Sequence, residues 1–388
     1  MTLAYLLIVV VPALIGVYTL ASTVRGLWRL PELRRVPYEE RDHWPRLHIV
    51  TPACNEERHV ESAVRSMLSL DYPDVSVIAV DDRSTDATGA LLDALAREDP
   101  RLTVEHIREL PEGWLGKVHA LQVGASRGDG EWLLLMDADA HLGQRTVKRA
   151  ISYAVRNQLD CLSVVPQMTT AGLLGDAVFD VSLALMSNDD RLRSVVDPRS
   201  RHVAATGAFI LVRKATFDRT PGFEWLRLEV ADDFGLMLLM KTHGGKCAIV
   251  NARAEVTLEW YASFGEMARA MQKNFFAIMA RFSLLRAIAL SLFASWIALS
   301  AVAALLPVSA PLRVLCATGY VAMTVAVALA ASVTGRPWRA ALLWPLGFLG
   351  IAWLSLRSGL VGARLRGIEW RGVVYPSALL AAAQRVRV

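Results

Sequence analysis

Apolar residues dominate both ends of the chain, and polar residues dominate its middle. Residues 1–24 carry no charged side chain before Arg25. A helix needs about 20 apolar residues to cross a bilayer, so we predict a retained transmembrane helix at 1–24. A signal peptide would instead carry a basic residue before a shorter apolar core. Three further apolar runs within 283–360 predict about three more membrane helices; they cover about residues 284–306, 312–332 and 338–359.

Residues 46–260 alternate between short apolar runs and runs with apolar residues at helical spacing. This alternation predicts an α/β domain, a mostly parallel sheet covered by helices. The strand-type runs read RLHIVTP, VSVIAVDD, LTVEHI and EWLLLMD. The helix-type runs read EERHVESAVRSMLSL, STDATGALLDALARE and KVHALQVGASR, the second with Ser84 or Thr85 as its N-cap.

Residues 261–282 combine an apolar stripe with basic residues placed off it. This pattern predicts an amphipathic helix at the membrane interface. A helix buried in a protein core has a similar pattern and is the alternative. The stripe consists of Phe264, Met267, Met271, Phe275 and Ile278.

Arginine residues set the expected orientation of the chain. The basic linker 25–45 follows the first apolar segment and no basic residue precedes it, which places residues 25 onward in the cytoplasm. The C-terminal tail 361–388 is also basic, yet three full crossings would leave it outside. One segment is therefore expected not to cross fully, and 338–359, interrupted by Pro345 and several glycines, is the candidate.

Composition narrows the class of protein. The net charge is +5 and 54% of the residues are hydrophobic. Basic residues crowd beside apolar segments rather than alternating with aromatic ones, which favours anionic lipid over nucleic acid as the partner. The four cysteines have no metal-binding spacing and indicate a reducing compartment; they are Cys54, Cys161, Cys247 and Cys316.

Acidic and amide residues follow three predicted strands, where ligands bind in open α/β sheets. They are Asn55, Glu56, Glu57, Asp81, Asp82, Asp137 and Asp139. Like charges this close require compensation, and hard oxygen ligands suit Mg²⁺ or Mn²⁺ shared with phosphates. An Asp-x-Asp pair alone is weak evidence, but its position after a buried strand makes it informative. The first strand lacks a glycine-rich phosphate loop, which argues against a dinucleotide-dependent oxidoreductase.

The motifs together resemble the inverting family-2 glycosyltransferases, which have a Rossmann-like GT-A fold. The resemblance covers about residues 46–260 and rests on TPACNEERHVESAVRSMLSLDYPDVSVIAVDDRSTDAT, LPEGWLGKVHALQVGA, LLLMDADAHLG and EVADDFGLMLLMKTHGGK. Within the family, the GWLGK stretch and the apolar segments are similar to bacterial hopanoid-associated and carotenoid (staphyloxanthin-type) enzymes. Ceramide glucosyltransferases are more distant.

The resemblance implies roles for individual residues. Asp137 and Asp139 would hold a divalent metal, and Asp233 would be the general base. Asp232 remains an alternative base, because the family usually has Glu-Asp at this position. The implied nucleotide-sugar pocket consists of Thr51, Pro52, Ala53, Asn55, Glu56, Asp81, Asp82, Lys117, Asp137 and Ala138. For Asp81 and Asp82 a turn cap is the alternative, and for Lys117 a solvated helix start.

The expected activity is transfer of one sugar from a nucleotide-sugar, by family habit a UDP-sugar, to a hydroxyl of a membrane lipid. The acceptor classes are polyisoprenoid, hopanoid, carotenoid, glycerolipid or ceramide-like lipids. The expected location is the inner membrane, with several spans and a cytoplasmic catalytic domain. A processive polysaccharide synthase is one alternative, although Phe275 and Phe276 replace the Arg-Trp pair that follows Gln272 in that class. A catalytically silent membrane scaffold is another. The sequence leaves the oligomeric state open.

Overall fold

The computed structural model describes residues 6–38, 41–170, 172–187, 189–261, 263–302 and 309–386. Its strands are β1 (Leu47–Ala53), β2 (Val75–Asp82), β3 (Leu102–Ile107), β4 (Trp132–Leu135), β5 (Ala140–Leu142), β6 (Cys161–Val165), β7 (Gln167–Thr170), β8 (Ile210–Arg213), β9 (Cys247–Asn251), β10 (Val256–Tyr261), β11 (Gly367–Trp370) and β12 (Val373–Pro376).

The α-helices are α1 (Val11–Trp28), α2 (Val60–Leu68), α3 (Thr88–Glu98), α4 (Gly116–Arg127), α5 (Thr146–Arg156), α6 (Leu173–Met186), α7 (Asp189–Val196), α8 (Lys214–Phe217), α9 (Asp232–Thr242), α10 (Phe264–Ala270), α11 (Gln272–Asn274), α12 (Leu284–Ser300), α13 (Ala310–Val333), α14 (Trp344–Leu365) and α15 (Ser377–Ala383). The π-helical turns are Leu6–Val10 and Phe275–Met279. The 3₁₀ turns are Leu33–Arg35, Gly222–Leu226 and Trp338–Leu343.

The central sheet has seven strands in the order β3-β2-β1-β4-β8-β6-β9. All neighbouring strands pair in parallel except at β8, which runs antiparallel to both β4 and β6. A smaller sheet, β5-β10-β7, lies beside it. The predicted α/β class with a mostly parallel sheet is therefore confirmed.

Helices cover both faces of the central sheet, so its inner strands are buried on both sides and read as continuous apolar runs. One core contains Val60, Val64 and Met67 of α2, and the other contains Val118 and Leu121 of α4. The four strand runs and three helix runs read from the sequence all form. The structure shifts the start of α3 to Thr88, without a side-chain cap.

The predicted N-cap at Ser84 or Thr85 is wrong, because these residues bond to the loop after β1 instead. The Ser84 hydroxyl accepts a hydrogen bond from the Asn55 N–H at 3.1 Å. The Thr85 N–H donates to Asn55 Oδ1 at 2.8 Å. Two loops at the same sheet edge are thereby joined, which local sequence patterns do not reveal.

Three helical segments in the described ranges are long and apolar enough to cross a membrane: Leu7–Trp28, Ala310–Val333 and Trp338–Leu365. A bent pair, Gln272–Met279 and Leu284–Ser300, would form a fourth span if counted as one, with an angle of 103°. The first helix continues past the predicted end at residue 24. Residues 303–306 of the segment predicted at 284–306 lie outside the described residues.

The apolar helices pack on each other and on α6, which lies in the sequence between strands β7 and β8 of the α/β domain. Gly16 of α1 faces Gly319 of α13, and a side chain on either glycine would collide with the opposite backbone. Val181 of α6 shares a core cluster with Ile297 of α12 and Met323 of α13. Small residues therefore join the apolar helices, and α6 links the helical bundle to the α/β domain.

The segment containing α14 begins and ends against the α/β domain. At its start, the Met168 N–H of β7 donates to Thr334 O at 3.3 Å. The chain then runs back along α13, where the Tyr320 hydroxyl donates to Leu342 O at 3.0 Å. At its end, Ile368 joins the core cluster that contains Leu115 of the α/β domain. Residues 334–368 thus leave that domain and return to it.

The regions predicted as an interfacial helix and a basic tail have more structure than expected. Residues 264–279 are divided among α10, α11 and a π-helical turn, and Met267 of the apolar stripe packs against Val178 of α6 and Leu354 of α14. Within the tail 361–388, α14 continues to Leu365, and residues 367–376 form the antiparallel hairpin β11–β12.

Candidate active site at the acidic sheet edge

The Asp-x-Asp pair follows β4 at the carboxyl edge of the sheet. The Asp137 N–H donates to Gly207 O at 2.9 Å. A side chain at Gly207 would overlap the Asp137 carboxylate, so glycine is needed for this close approach. Ala138 is buried between the two aspartates. β4 and the loop before β8 together fix the position of Asp137.

Lys117, in the first turn of α4, bridges two of the predicted site residues. Its Nζ atom lies 2.7 Å from Asp137 Oδ1 and 3.0 Å from Asp232 Oδ2. Burial alone would lower the pKa of Lys117. The negative charges of Asp137, Asp232 and Asp233 raise this pKa by more than burial lowers it, so the pKa lies above its usual range. Lys117 is therefore a permanent cation rather than a solvated helix residue.

Asp139 is the least compensated carboxylate of the edge. Its Oδ1 atom is buried without a hydrogen-bond partner among the described residues. Burial, followed by the charges of Asp137 and Glu56, raises the pKa of Asp139 to about 8. An unpaired buried carboxylate oxygen costs free energy unless a proton or a cation compensates it.

Asp232 and Asp233 begin α9 and have different surroundings. Asp232 is paired with Lys117, whereas Asp233 has no salt bridge among the residues that the structure describes. Asp233 Oδ1 accepts a hydrogen bond from the Phe234 N–H at 2.8 Å. Burial, then the neighbouring Asp232 charge, raises the pKa of Asp233 to about 7. Of the two carboxylates, Asp233 is consequently the one without a cation partner among the described residues, and its role as a general base stays a prediction.

Both aspartates border one cleft. It is lined by Lys117, Leu121, Leu135, Met136, Asp137, Gly207, Ile210, Asp232, Asp233 and Leu236. The lining combines the charged groups of Lys117, Asp137, Asp232 and Asp233 with apolar side chains.

The predicted nucleotide pocket lies at the ends of β1 and β2, which pair so that Ala53 is opposite Asp81. Thr51 and Pro52 are buried, and Thr51 Oγ1 has no hydrogen-bond partner in the described ranges. Asn55 adopts a left-handed conformation (φ 58°), which short amide side chains tolerate. Glu56 is half-buried next to the loop of Asn55.

Asp81 and Asp82 are both engaged by the protein. Asp81 Oδ1 accepts the Ser84 N–H at 3.2 Å, the arrangement of a turn cap, and its Oδ2 is 2.8 Å from His106 Nδ1. Asp82 accepts from Arg83 Nε at 2.7 Å. These contacts make Asp81 and Asp82 organisers of the loop after β2; whether they also contact a ligand stays a prediction.

The C-terminal segment brings residues to this edge that sequence reasoning missed. Arg371, at the tip of the β11–β12 hairpin, lies 3.4 Å from Glu56 Oε1. Lys273 Nζ lies 3.4 Å from the ring centroid of Trp370. Burial raises the pKa of Glu56, and the Arg371 charge opposes this shift. Alternating apolar residues around Arg371-Gly372 were a hairpin signal that the basic character of the tail obscured.

A divalent cation fits the Asp-x-Asp pair by its chemistry. The unpaired buried oxygen of Asp139 and the hard carboxylate donors suit Mg²⁺ or Mn²⁺. No group of three or more His, Cys, Asp or Glu side chains within the described residues is arranged to hold a metal. Two carboxylates would leave coordination positions for water or phosphate oxygens, the usual arrangement for Mg²⁺.

Comparisons with known proteins show what part of the α/β domain is similar to. Residues 48–221 match the family model described as glycosyl transferase family 2. The chain is 32% identical over 123 residues to a beta-monoglucosyldiacylglycerol synthase of Synechocystis, covering 31% of this chain and 25% of that protein. It is 30% identical over 122 residues to a 4,4'-diaponeurosporenoate glycosyltransferase of Staphylococcus haemolyticus, covering 31% of this chain and 32% of that protein. The chain thus matches less than a third of either relative's length.

A similar solved structure is the mannosyltransferase PcManGT from Pyrobaculum calidifontis, in complex with GDP-Man and Mn²⁺. The TM-score is 0.49 at 17% identity, covering 92% of this chain and 98% of that chain.

Proposed function

We propose that this protein, whose residues 48–221 form a glycosyl transferase family 2 domain, transfers a single sugar from a nucleotide-sugar to a membrane lipid hydroxyl with inversion. The observation that carries the proposal is the pairing of Lys117 with both Asp137 and Asp232. This contact brings the end of the sheet that would hold a diphosphate next to the carboxylates that would activate an acceptor.

In this proposal Asp137 and Asp139 hold Mg²⁺ or Mn²⁺ on the donor diphosphate. The ion would supply Lewis-acid stabilisation of the charge that develops on the leaving diphosphate. Lys117 adds a fixed positive charge at the same place. The loop residues Thr51, Pro52, Ala53, Asn55 and Glu56, with Ala138 and the Asp81–Asp82 turn, would surround the nucleotide.

Asp233 would accept the proton of the acceptor hydroxyl as its oxygen attacks the anomeric carbon. An inverting reaction needs this base on the face opposite the leaving group. The raised pKa of Asp233, about 7 because of burial and the Asp232 charge, suits a base that works near neutral pH. Asp232, paired with Lys117, would hold the cation in place rather than take the proton.

The proposed acceptor is a lipid because long apolar helices pack on α6 of the α/β domain. The stripe residues Met267 and Phe264 pack near α6 and α14 of the helical bundle. Two relatives are named for a diacylglycerol and for 4,4'-diaponeurosporenoate. A polymer acceptor is the second candidate, since another relative is a poly(ribitol-phosphate) beta-N-acetylglucosaminyltransferase of Staphylococcus aureus.

The proposed location is the inner membrane, with the catalytic domain in the cytoplasm. The basic residues after α1 support this orientation. The return of residues 334–368 to the α/β domain supports a re-entrant α14, as expected for the segment interrupted by Pro345. The basic C-terminal segment would then lie on the cytoplasmic side, as the positive-inside rule requires. Three full crossings would instead have placed it outside.

A donor screen tests the proposal. Purified protein in lipid nanodiscs is given UDP-, GDP- and dTDP-sugars with Mg²⁺ and a total membrane lipid extract, and products are identified by mass spectrometry. We expect one hexose or N-acetylhexosamine added per lipid. A ladder of sugars would indicate a processive synthase. Absence of both transfer and donor hydrolysis with every donor would indicate a silent scaffold.

A further inference from the structure

The C-terminal hairpin β11–β12 is held firmly against the acidic sheet edge. Its two-residue turn, Arg371-Gly372, has positive φ at both positions (51° and 78°), as a tight hairpin turn requires. Tyr375 of β12 is buried in the core that contains Leu115. The turn therefore presents Arg371 in a defined place rather than on a mobile tail.

The end of the chain is fastened to the segment that leads into the catalytic aspartates. Glu229 is buried, and its Oε2 atom accepts the N–H groups of Arg385 at 2.6 Å and Val386 at 3.1 Å. Glu229 Oε1 accepts the N–H of Ala231, which precedes Asp232, at 3.1 Å. Hairpin and tail thus enclose the edge of the sheet.

Two basic residues at this edge of the sheet, Lys273 and Arg371, have N–H donors that are not fully used by carboxylates among the described residues. Lys273 is half-buried, its ammonium rests on the Trp370 ring, and no carboxylate lies within 4.0 Å of it among the described residues. Arg371 has one carboxylate, Glu56, at 3.4 Å, and a guanidinium has five N–H donors. By contrast, Lys117 is occupied by two aspartates.

Both cations act on the same place. The Lys273 ammonium rests on Trp370, the residue before Arg371. Burial lowers the pKa of Lys273 to about 7, the Asp232 charge opposes this shift, and the Lys117 and Arg371 charges add to it. A bound anion would therefore favour the charged ammonium. This edge of the sheet therefore combines the carboxylates of the Asp-x-Asp pair with two basic side chains whose positive charge is not fully neutralised by neighbouring carboxylates. A ligand that satisfies both carries several negative charges on oxygen and accepts bonds from ammonium and guanidinium groups, which describes a diphosphate.

We propose that Lys273 and Arg371 form a subsite for the diphosphate of the donor, so that the C-terminal hairpin is part of the donor site. Arg371 exchanges its weak contact with Glu56 for phosphate oxygens, and Lys273 gains a counter-charge while Trp370 keeps it in position. The inference rests on the proposed use of a nucleotide-sugar and adds two binding residues that lie outside the matched family domain.

Equilibrium binding to the full chain in nanodiscs tests the subsite. UDP, GDP, CDP and dTDP are titrated with Mg²⁺, and the nucleoside monophosphate of whichever binds is titrated in parallel. We expect Lys273→Met and Arg371→Gln each to weaken diphosphate binding about tenfold, the usual effect of losing a charged hydrogen bond. Monophosphate affinity should change less than diphosphate affinity. Arg269→Gln, an exposed residue one turn before Lys273, is the matched control and should bind like wild type.

Charge-conserving variants separate binding from folding. Lys273→Arg and Arg371→Lys should restore most diphosphate affinity if the cations contact phosphate. Equal diphosphate affinity in wild type, Lys273→Met and Arg371→Gln would overturn the subsite while leaving the proposed function intact. Failure of all four diphosphates to bind wild type would overturn both. A loss seen only in nanodiscs containing phosphatidylglycerol would assign the cations to a lipid phosphate instead and would also overturn the donor subsite.

Discussion

The Nζ atom of Lys117 lies 2.7 Å from Oδ1 of Asp137. The same ammonium reaches Asp232 at 3.0 Å, so one cation joins the end of β4 to the start of α9. Asp139, two residues after Asp137, and Asp233, next to Asp232, have no such contact among the described residues. The charges of Asp137 and Asp232 are therefore neutralised by Lys117, whereas those of Asp139 and Asp233 are not. In the proposed reaction Asp139 would help to bind a metal ion and Asp233 would accept the acceptor's proton.

Replacing Lys117 by methionine should separate metal binding from donor binding. Without its ammonium, Asp137 loses a competing cation, so Mn²⁺ alone should bind more tightly, as measured by the free Mn²⁺ signal in electron paramagnetic resonance. Nucleoside diphosphate should bind about tenfold more weakly, because the fixed positive charge proposed beside the diphosphate is lost. Unchanged Mn²⁺ affinity would mean that Lys117 does not compete for Asp137.

Asp139→Asn should remove the response to metal while preserving the fold. In chelator, at a pH above the Asp139 pKa of about 8, the variant should unfold at a higher temperature than wild type, because the buried charge beside Asp137 is gone. Added Mg²⁺ with nucleoside diphosphate should then raise the unfolding temperature of wild type but not of Asp139→Asn. The exposed control Asp42→Asn should behave like wild type. Full turnover of wild type in excess chelator would exclude a metal requirement.

The strands and their acidic ends were predictable because buried parallel strands are continuous apolar runs and ligands bind at their carboxyl ends. The Lys117 bridge was only partly predictable, since the motif gives the residues but not their contacts. The contact between Glu56 and Arg371 joins residues 315 positions apart, and no local pattern encodes such a distance. The apolar stripe of residues 264–278 was visible, but its partners in α6 and α14 depend on tertiary packing.

Asp233→Asn should abolish sugar transfer and leave donor affinity nearly unchanged. Loss of a general base costs about a hundred- to ten-thousand-fold in rate. Asp232→Asn is the matched variant: it should lower donor affinity through Lys117 and reduce the rate less. Transfer rates and nucleoside diphosphate affinities measured on both proteins decide the assignment, and an inactive Asp232→Asn beside an active Asp233→Asn would reverse it.

The rate should depend on pH through the Asp233 carboxylate. Its pKa is raised to about 7 by burial and by Asp232, and only the deprotonated form accepts a proton. The value of kcat/KM should therefore fall about tenfold per unit below pH 7 and level off above it. Measurements from about pH 5.5 to about pH 8.5 on wild type test this. A flat profile over that range would show that proton transfer to Asp233 does not limit the reaction.

The path of the helical bundle predicts which sites face the cytoplasm. Single cysteines at Asp129 of the α/β domain, Ser309 before α13 and Arg366 after α14 occupy exposed positions. The four native cysteines are buried, so background labelling should be low. In intact cells a membrane-impermeant maleimide should label Ser309→Cys from outside. Asp129→Cys and Arg366→Cys should react only after the cells are opened.

The position at residue 366 distinguishes a re-entrant α14 from a full crossing. A re-entrant segment returns residue 366 to the side of the catalytic domain, where the contacts of Ile368 with the core of that domain require it to be. External labelling of Arg366→Cys would show that residues 338–365 cross the membrane and that the hairpin cannot reach the donor site. External labelling of Asp129→Cys would invert the orientation of the whole chain.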